Sequence, residues 1–252
     1  MKENLIKKCI FFSFIVVIVM ISISIMIKYD VEGEKELPFS VKKILLVSTV
    51  NGEVKDDPDN IWNINVSQAN DIYFYIDKTM ETDVVIDEIK FSNFSIEESP
   101  KKGVVKLLKP TGELSNLYSY STHNFWDEGV TFYGAKFDDL KALEIANNGG
   151  MIGFRISLEE LGTYLSNEDV EIKYDGNLLK NINVSEEDVK FNVGFDITIK
   201  TSEKNMYQSR IKLDLPVNGM IEKGSSSQEL TDFSNLVFKR VNEKIKILGQ
   251  FD

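Results

Sequence analysis

The sequence predicts a mainly β protein, in which a single antiparallel β-sandwich follows one transmembrane helix. Three observations support this prediction. An uncharged apolar run lies near the N-terminus, apolar residues alternate with polar ones in many later segments, and helical patterns are few and short. Immunoglobulin-like and jelly-roll topologies both fit this pattern, and the alternation does not choose between them.

The apolar run, Cys9 to Ile27, contains 19 residues without a charge. A helix of this length extends roughly 28 Å, which is close to the ~30 Å of a bilayer core. Lysines precede the run and acidic residues dominate after it, so residues 1–8 are predicted to be cytoplasmic and the C-terminal domain extracytoplasmic. The alternative is a signal peptide cleaved near Ser22 and Ser24, but the apolar run continues beyond both serines.

Residues 28–36 are charged and lack periodicity, which predicts a short solvated stalk between the membrane and the domain. Residues 37–252 contain no long linker rich in Pro, Gly or Ser, so they are predicted to form one domain. That domain contains no cysteine, and at this length it can bury enough apolar surface without disulfides. The absence of cysteine favours a bacterial cell envelope over a eukaryotic secreted location.

The clearest strand pattern runs from Val189 to Ile199, where every odd position is apolar. A second alternating run, Ile211 to Leu215, follows a short polar segment, so the two runs predict an antiparallel hairpin. The apolar phase shifts by one residue near Ser92 and Asn93, which predicts a β-bulge. Further strand candidates are residues 41–50, 61–66, 72–76, 104–109, 130–137, 152–158 and 236–241.

The strongest helical pattern after the apolar run begins at Ser157. Ser157 and Glu160 have the spacing of a capping box, and Leu158, Leu161 and Leu165 then fall on one helical face. This pattern predicts one or two helical turns within residues 157–165.

Catalysis by a nucleophile and a base requires a group that accepts a proton near neutral pH, usually histidine. His123 is the only histidine, and no nucleophile motif accompanies it. Adjacent carboxylates such as Glu159 and Glu160 would point to opposite faces of a strand, so they say little about catalysis. The sequence therefore predicts no catalytic residue and favours a protein that is not an enzyme, with an envelope hydrolase that uses carboxylates or His123 as the alternative.

Metal and cofactor sites are poorly supplied, because zinc sites need several Cys or His residues and the chain has one of each. The densest acidic loop cluster is Asp56, Asp57 and Asp59, but its spacing does not match a calcium-binding EF-hand loop. A solvated turn around Pro58 is the preferred interpretation. Since no phosphate-binding or dinucleotide-binding glycine motif is found, the sequence predicts no metal and no cofactor.

The charge balance excludes one class of partner. The chain has a formal net charge of −11, and several of its lysines precede the apolar run, so the predicted extracytoplasmic domain is strongly acidic. Such a domain repels phosphate backbones, which excludes nucleic acid as a partner.

Two tyrosines are the candidate ligand-binding residues. Tyr73 and Tyr75 alternate with Ile72, Phe74 and Ile76, so if the aliphatic and phenylalanine side chains face the core, both tyrosines share the opposite face. Aromatic rings flanked by carboxylates suit a glycan or a basic peptide. The alternatives are that both tyrosines lie under a loop, or that they are ordinary β-favouring residues in cross-strand pairs.

Three segments carry a resemblance that covers most of the chain: residues 37–39 (LPF), 60–63 (NIWN) and 222–227 (EKGSSS). Their layout resembles uncharacterised single-pass membrane proteins of clostridia-type bacteria. The resemblance implies a bacterial surface location and transfers no functional residue. The sequence thus favours a membrane-anchored binding or structural module of the cell envelope, with the bilayer contacted by residues 9–27 and a cell-wall glycan or an envelope protein as partner.

Overall fold

The structure, a computed structural model, describes residues 2–55, 62–79, 83–112, 119–135, 143–166, 176–233 and 236–241. Its helices are α1 (Lys2–Glu32), α2 (Gly176–Asn181), α3 (Glu186–Val189) and α4 (Met220–Lys223). Its strands are β1 (Phe39–Lys55), β2 (Trp62–Lys78), β3 (Ile86–Glu98), β4 (Val104–Leu108), β5 (Val130–Ala135), β6 (Glu144–Ala146), β7 (Gly149–Ser166), β8 (Phe191–Thr201), β9 (Met206–Leu215), β10 (Ser225–Leu230) and β11 (Lys239–Val241). The mainly β fold with one N-terminal apolar helix is confirmed.

Helix α1 contains the stretch Phe11–Glu32, which is long and apolar enough to cross a membrane and is not buried against the rest of the chain. The helix ends at Glu32 and is followed by Gly33, whose positive φ of 66° suits a C-terminal glycine cap. The Gly33 amide donates to the carbonyl of Tyr29 at 2.8 Å. A Cβ atom at Gly33 would lie 2.5 Å from the carbonyl oxygen of Phe238, so glycine is required for this close approach.

The end of α1 is held against β11. Lys239 Nζ lies 2.9 Å from the Asp30 carboxylate, and the Glu34 amide donates to the Phe238 carbonyl at 2.8 Å. The Arg240 amide also donates to the Tyr29 hydroxyl at 2.9 Å. In the segment predicted to be a solvated stalk, residues 28–36, helix occupies the first part, and the Glu34 hydrogen bond to Phe238, just before β11, holds the next.

The strands form two sheets, a five-stranded sheet in the order β10-β1-β2-β7-β4 and a six-stranded sheet in the order β11-β9-β8-β3-β5-β6. The pairings between these strands are antiparallel except that of β5 with β6. The predicted hairpin is present as β8 and β9, with Phe195 opposite Ile211. The predicted bulge is also present, since the register of β3 shifts between Ser92 and Ser95 and Asn93 has a φ of 54°.

The two sheets share a hydrophobic core, here called the sandwich core. Phe74 and Phe154 enter it from the five-stranded sheet, and Phe91 and Phe195 enter it from the six-stranded sheet. All four side chains are fully buried. The ring centroids of Phe74 and Phe91 are 4.7 Å apart, and those of Phe154 and Phe195 are 5.5 Å apart. Direct aromatic contact therefore joins the sheets, and the arrangement is sandwich-like.

A second cluster, here called the helix-covered core, lies beneath the short helices. Strands β1, β2 and β7 are 17, 17 and 18 residues long, whereas β8 and β9 of the other sheet have 11 and 10. One end of the longer strands packs against α2, α3 and α4 instead of the other sheet. The buried residues of this core are Val50, Val66, Leu158, Leu161, Leu178, Leu179, Val184, Val189, Met220 and Ile221.

Buried polar side chains on the core face of the five-stranded sheet include Ser48, Gln68 and Asn70. Ser48 Oγ donates to Asn70 Oδ1 at 2.7 Å, and Gln68 Nε2 donates to the same oxygen at 2.6 Å. The amide of Val217, just after β9, donates to Ser48 Oγ at 2.8 Å. These side chains are therefore hydrogen-bonded to one another and to the chain that leaves the six-stranded sheet.

The prediction of a helix within residues 157–165 is wrong, because these residues belong to β7. Gln68 lies opposite Leu158 and Val66 lies opposite Gly162, so β7 advances four residues while β2 advances two. This bulge turns both Leu158 and Leu161 into the helix-covered core. Their spacing of three residues, which imitates a helical face in the sequence, is produced by the extra residues of the bulge.

Candidate functional site

A polar cleft of about 950 Å³ lies on the outer face of the five-stranded sheet, behind the helix-covered core. Strands β1, β2, β4 and β7 contribute to its walls, together with the segment that precedes β5. The polar lining residues are Glu53, Asn65, Ser67, Lys106, Tyr120, Ser121, Thr122, Arg155, Glu159, Glu160 and Thr163. This combination of charged, amide and hydroxyl side chains makes the cleft the candidate site.

One wall is fixed by an ion pair between neighbouring strands. Arg155 on β7 lies opposite Asp71 on β2, and its Nε and Nη2 atoms donate to the two carboxylate oxygens at 2.7 and 2.8 Å. Burial alone would lower the pKa of Arg155, but the hydrogen bonds and negative charge of Asp71 raise it. The bidentate geometry holds the guanidinium group in one orientation.

Tyr120 packs over this ion pair. The Arg155 Cζ atom lies 4.2 Å from the centroid of the Tyr120 ring, which is a cation–π contact. A β-bridge between Tyr120 and Pro110 holds the tyrosine in place. Burial raises the pKa of Tyr120, and the neighbouring Asp71 and Tyr73 add to the effect. The phenol is thus a protonated hydroxyl at the wall of the cleft.

A second ion pair, between Lys106 on β4 and Glu159 on β7, fixes another part of the cleft. Lys106 Nζ lies 2.5 Å from Glu159 Oε2, with both side chains about one-third exposed. The hydrogen bond to Glu159 raises the pKa of Lys106. The contact places the Glu159 carboxylate as a hydrogen-bond acceptor for the Lys106 ammonium group inside the cleft.

The bulge in β7 gives the cleft a second carboxylate from consecutive residues. Glu160 has a φ of 60°, and both Glu159 and Glu160 line the cleft. The expectation that these neighbours point to opposite faces is therefore wrong, because it assumed a regular strand. Glu53 lies opposite Asn65, which in turn lies opposite Thr163, and these three side chains form one end of the lining.

The two predicted tyrosines lie beside the cleft and do not line it. Tyr73 is only 9% exposed, because Tyr120 and Arg155 occupy the same face. Tyr75 is half-buried, with Lys43 Nζ 4.5 Å from its ring centroid. The strand nevertheless has the predicted orientation, since Asp71, Tyr73 and Tyr75 all alternate with buried core residues.

The remaining candidates from the sequence lie elsewhere. His123 is exposed, with Nε2 3.0 Å from Glu128 Oε1 and its ring edge-on to Phe125. Residues 56–59, which contain the aspartate cluster, lie outside the described residues. Among the residues that are described, no group of three or more His, Cys, Asp or Glu side chains has the geometry of a metal site.

Comparisons with protein-family models, with curated proteins and with solved structures gave no match. Inferences about function therefore depend on the chemistry of the cleft. Its polar groups are donors and acceptors fixed by ion pairs, an arrangement that orients a ligand.

Proposed function

We propose that this protein is a membrane-anchored, extracytoplasmic binding module of a bacterial cell envelope, and that its ligand occupies the cleft. Helix α1 would cross the membrane, with residues 1–8 in the cytoplasm, as the flanking charges favour. Residues 37–252 would form a single sandwich-like ectodomain, for which the aromatic contacts between the two sheets are the support. The resemblance to clostridia-type membrane proteins supports the same location.

The observation that supports binding is the polar cleft itself. Ligand sites are concave and orient their ligands with a few placed polar groups, and a volume of about 950 Å³ suits a ligand larger than a single ion or small metabolite. Here Arg155 and Lys106 are each held by a carboxylate before any ligand arrives. Such preorganisation lowers the entropic cost of binding.

An envelope hydrolase is the second candidate, because the bulge brings Glu159 and Glu160 into one cleft with Glu53. Glycoside hydrolysis needs one protonated carboxyl group and one ionised group on either side of the scissile bond. Glu159 is already engaged by Lys106, so Glu160 and Glu53 would have to supply the carboxyl pair. We favour binding because Glu53 and Glu160 are both exposed, whereas the acid of such enzymes usually lies in a buried, apolar pocket.

The binding test uses the full chain in detergent and purified bacterial cell walls as the probe, with bound protein measured after sedimentation. Thr163→Tyr places a bulky ring at an exposed position of the cleft. Because tyrosine favours β-strands, the fold should be retained. We expect it to reduce wall binding by about tenfold or more through steric exclusion. The matched control is Thr131→Tyr on β5 of the six-stranded sheet, which should bind as the unmodified chain does.

Two results would contradict the proposal. Equal wall binding by the Thr163→Tyr and unmodified chains would remove the cleft as the site. Release of reducing sugar ends from the walls, abolished by Glu160→Gln or Glu53→Gln, would support the hydrolase instead.

The membrane topology is tested separately by protease treatment of intact, wall-stripped cells, which should digest the domain and spare a cytosolic control.

A further inference from the structure

We infer that the ligand of the cleft is a neutral, hydroxyl-rich oligosaccharide. This inference rests on the proposed function and adds the chemical class of the ligand. It follows from the way in which the charged groups of the cleft are already paired, and from the alternation of donors and acceptors along its walls.

An anionic ligand is disfavoured because the described cations of the lining, Arg155 and Lys106, are already paired. Arg155 makes two hydrogen bonds to Asp71, and Lys106 makes one to Glu159. The charge of each cation is already balanced by its own carboxylate, so a ligand carboxylate or phosphate gains little net attraction, and the other carboxylates of the lining would repel it.

A cationic ligand is also disfavoured. Glu53 and Glu160 are both exposed, and exposed carboxylates attract a cation only weakly through water and salt. The two ion pairs of the cleft are each internally balanced, so they add no further attraction for a cation. The charges of the cleft therefore favour a ligand that carries none.

A sugar hydroxyl matches the polar groups that remain. It donates one hydrogen bond and accepts others, so it can contact Lys106 and Glu159 together without separating them. The side-chain amide of Asn65 and the hydroxyl of Thr163 offer the same dual chemistry. The hydroxyl groups of a polyol can therefore bridge the existing ion pairs of the cleft, and both ion pairs remain intact.

The size of the cleft favours several sugar units over one. Its volume of about 950 Å³ lies near the upper end of the range of ~300–1,000 Å³ for ligand pockets. Its polar lining extends from Lys106 on the edge strand β4 to Glu53 on β1, across β7 and β2. A chain of linked rings can follow this direction across the sheet.

The experiment compares ligands of equal length against the full chain in detergent, with affinity measured by calorimetry. The neutral probes are chitohexaose, cellohexaose and mannohexaose; the charged probes are fully deacetylated chitohexaose, hexagalacturonate and hexalysine. We expect at least one neutral hexasaccharide to bind about tenfold or more tightly than every charged probe. Its affinity should change less than about twofold when sodium chloride is raised tenfold, because no net charge is attracted.

Tightest binding by deacetylated chitohexaose, hexalysine or hexagalacturonate would overturn the inference, as would the failure of all three neutral hexasaccharides to bind. The Thr163→Tyr chain separates this failure from failure of the proposed function. If it loses wall binding while hexalysine competes for the walls, the cleft is the site but its ligand is not a neutral saccharide. If a neutral hexasaccharide binds the Thr163→Tyr and Thr131→Tyr chains equally, the saccharide site lies outside the cleft and the inference fails.

Discussion

The sandwich core lies between two sheets, whereas the helix-covered core lies between one sheet and short helices. In the sandwich core, strands with period-2 alternation bury large aromatic rings on both sides, and short register shifts in β1 and β3 are the interruptions among the described strands. In the helix-covered core, β7 contains a bulge with a positive φ at Glu160, and helices of four to six residues supply most of the opposite wall. The same three long strands thus have a regular half and an irregular half.

Most of the cleft lies on the reverse side of the irregular half, and its wall at Arg155 and Tyr120 extends over the outer face of the sandwich half. Leu158 faces the helix-covered core, while its neighbour Glu159 lines the cleft. The bulge provides both the buried Leu161 and the cleft residue Glu160. The regular half therefore acts as the scaffold, and the surface suited to recognition lies mainly where β7 departs from regularity.

The largest expected effect is at Phe195 in the sandwich core. Its side chain is fully buried among the rings of Phe74, Phe91, Phe94 and Phe154, so Phe195→Asp would bury a charge without a partner. We expect a loss of more than about 4 kcal/mol in the free energy of unfolding. Thermal unfolding followed by circular dichroism measures this loss.

The control is Tyr133→Asp on the outer face of the six-stranded sheet, where the tyrosine side chain is 57% exposed. This control should lower the melting temperature only slightly. An unchanged melting temperature in Phe195→Asp would refute the shared aromatic core, and with it the sandwich half of the comparison.

The second prediction concerns Leu179 of α2, which is fully buried in the helix-covered core. Leu179→Ala should lower the free energy of unfolding by about 3 kcal/mol. Because the short helices make up much of this core, we expect amide hydrogen exchange to accelerate mainly in α2 and α4, with β3 and β8 still protected. The exposed Leu165→Ala on β7 is the control. Uniform acceleration through both halves would mean that the two cores unfold as one unit.

The strands of the sandwich core could be largely predicted from the sequence. On β8, one face is buried by Val193, Phe195, Ile197 and Ile199, and this pattern appears directly as alternation in the sequence. The irregular half could not be predicted. The bulge in β7 imitates helical spacing, and helices of four to six residues are too short to show a 3.6-residue period.

The candidate site was predictable only in part. Alternation places Asp71 on the face of Tyr73 and Tyr75, and it places Arg155 opposite to the core face of β7. However, Asp71 and Arg155 are 84 residues apart, and their contact depends on the register between β2 and β7. Register follows from packing of the whole sheet, so the ion pair at the centre of the site has no local signal in the sequence.

The third prediction tests the outer face above the sandwich core. Tyr73 is 9% exposed, beside Tyr120 and Arg155, so Tyr73→Ser removes a buried ring. We expect a loss of about 2 kcal/mol in stability, together with weaker binding of the preferred neutral hexasaccharide, because Tyr120 loses its neighbour. Tyr73→Phe is the conservative control and should recover most of the stability. Full stability in Tyr73→Ser would show that the ring is not packed beneath the wall of the cleft.

The fourth prediction tests the polar side chains of the inner face. Ser48→Ala removes the hydroxyl that accepts from the Val217 amide and donates to Asn70. Two buried polar groups would lose a partner, which should cost about 1–2 kcal/mol. The exposed Ser227→Ala on β10 is the matched control. Chemical denaturation that shows no loss in Ser48→Ala would mean that these hydrogen bonds do not stabilise the fold.

The smallest expected effect is at Tyr75, also on the outer face of the sandwich half. The ring is half-buried and contacts Lys43, whose Nζ atom also lies 2.7 Å from Glu229, so Tyr75→Ser removes one exposed cation–π contact and keeps the ion pair. Such a contact is worth about 0.5–1 kcal/mol, and the loss of stability should fall in that range. Because Tyr75 does not line the cleft, affinity for the preferred neutral hexasaccharide and for purified walls should be unchanged. Chemical denaturation and calorimetry on the same variant measure both quantities. Weaker binding with retained stability would show that recognition extends over the regular half, and the division of the five-stranded sheet into a scaffold half and a recognition half would then be wrong.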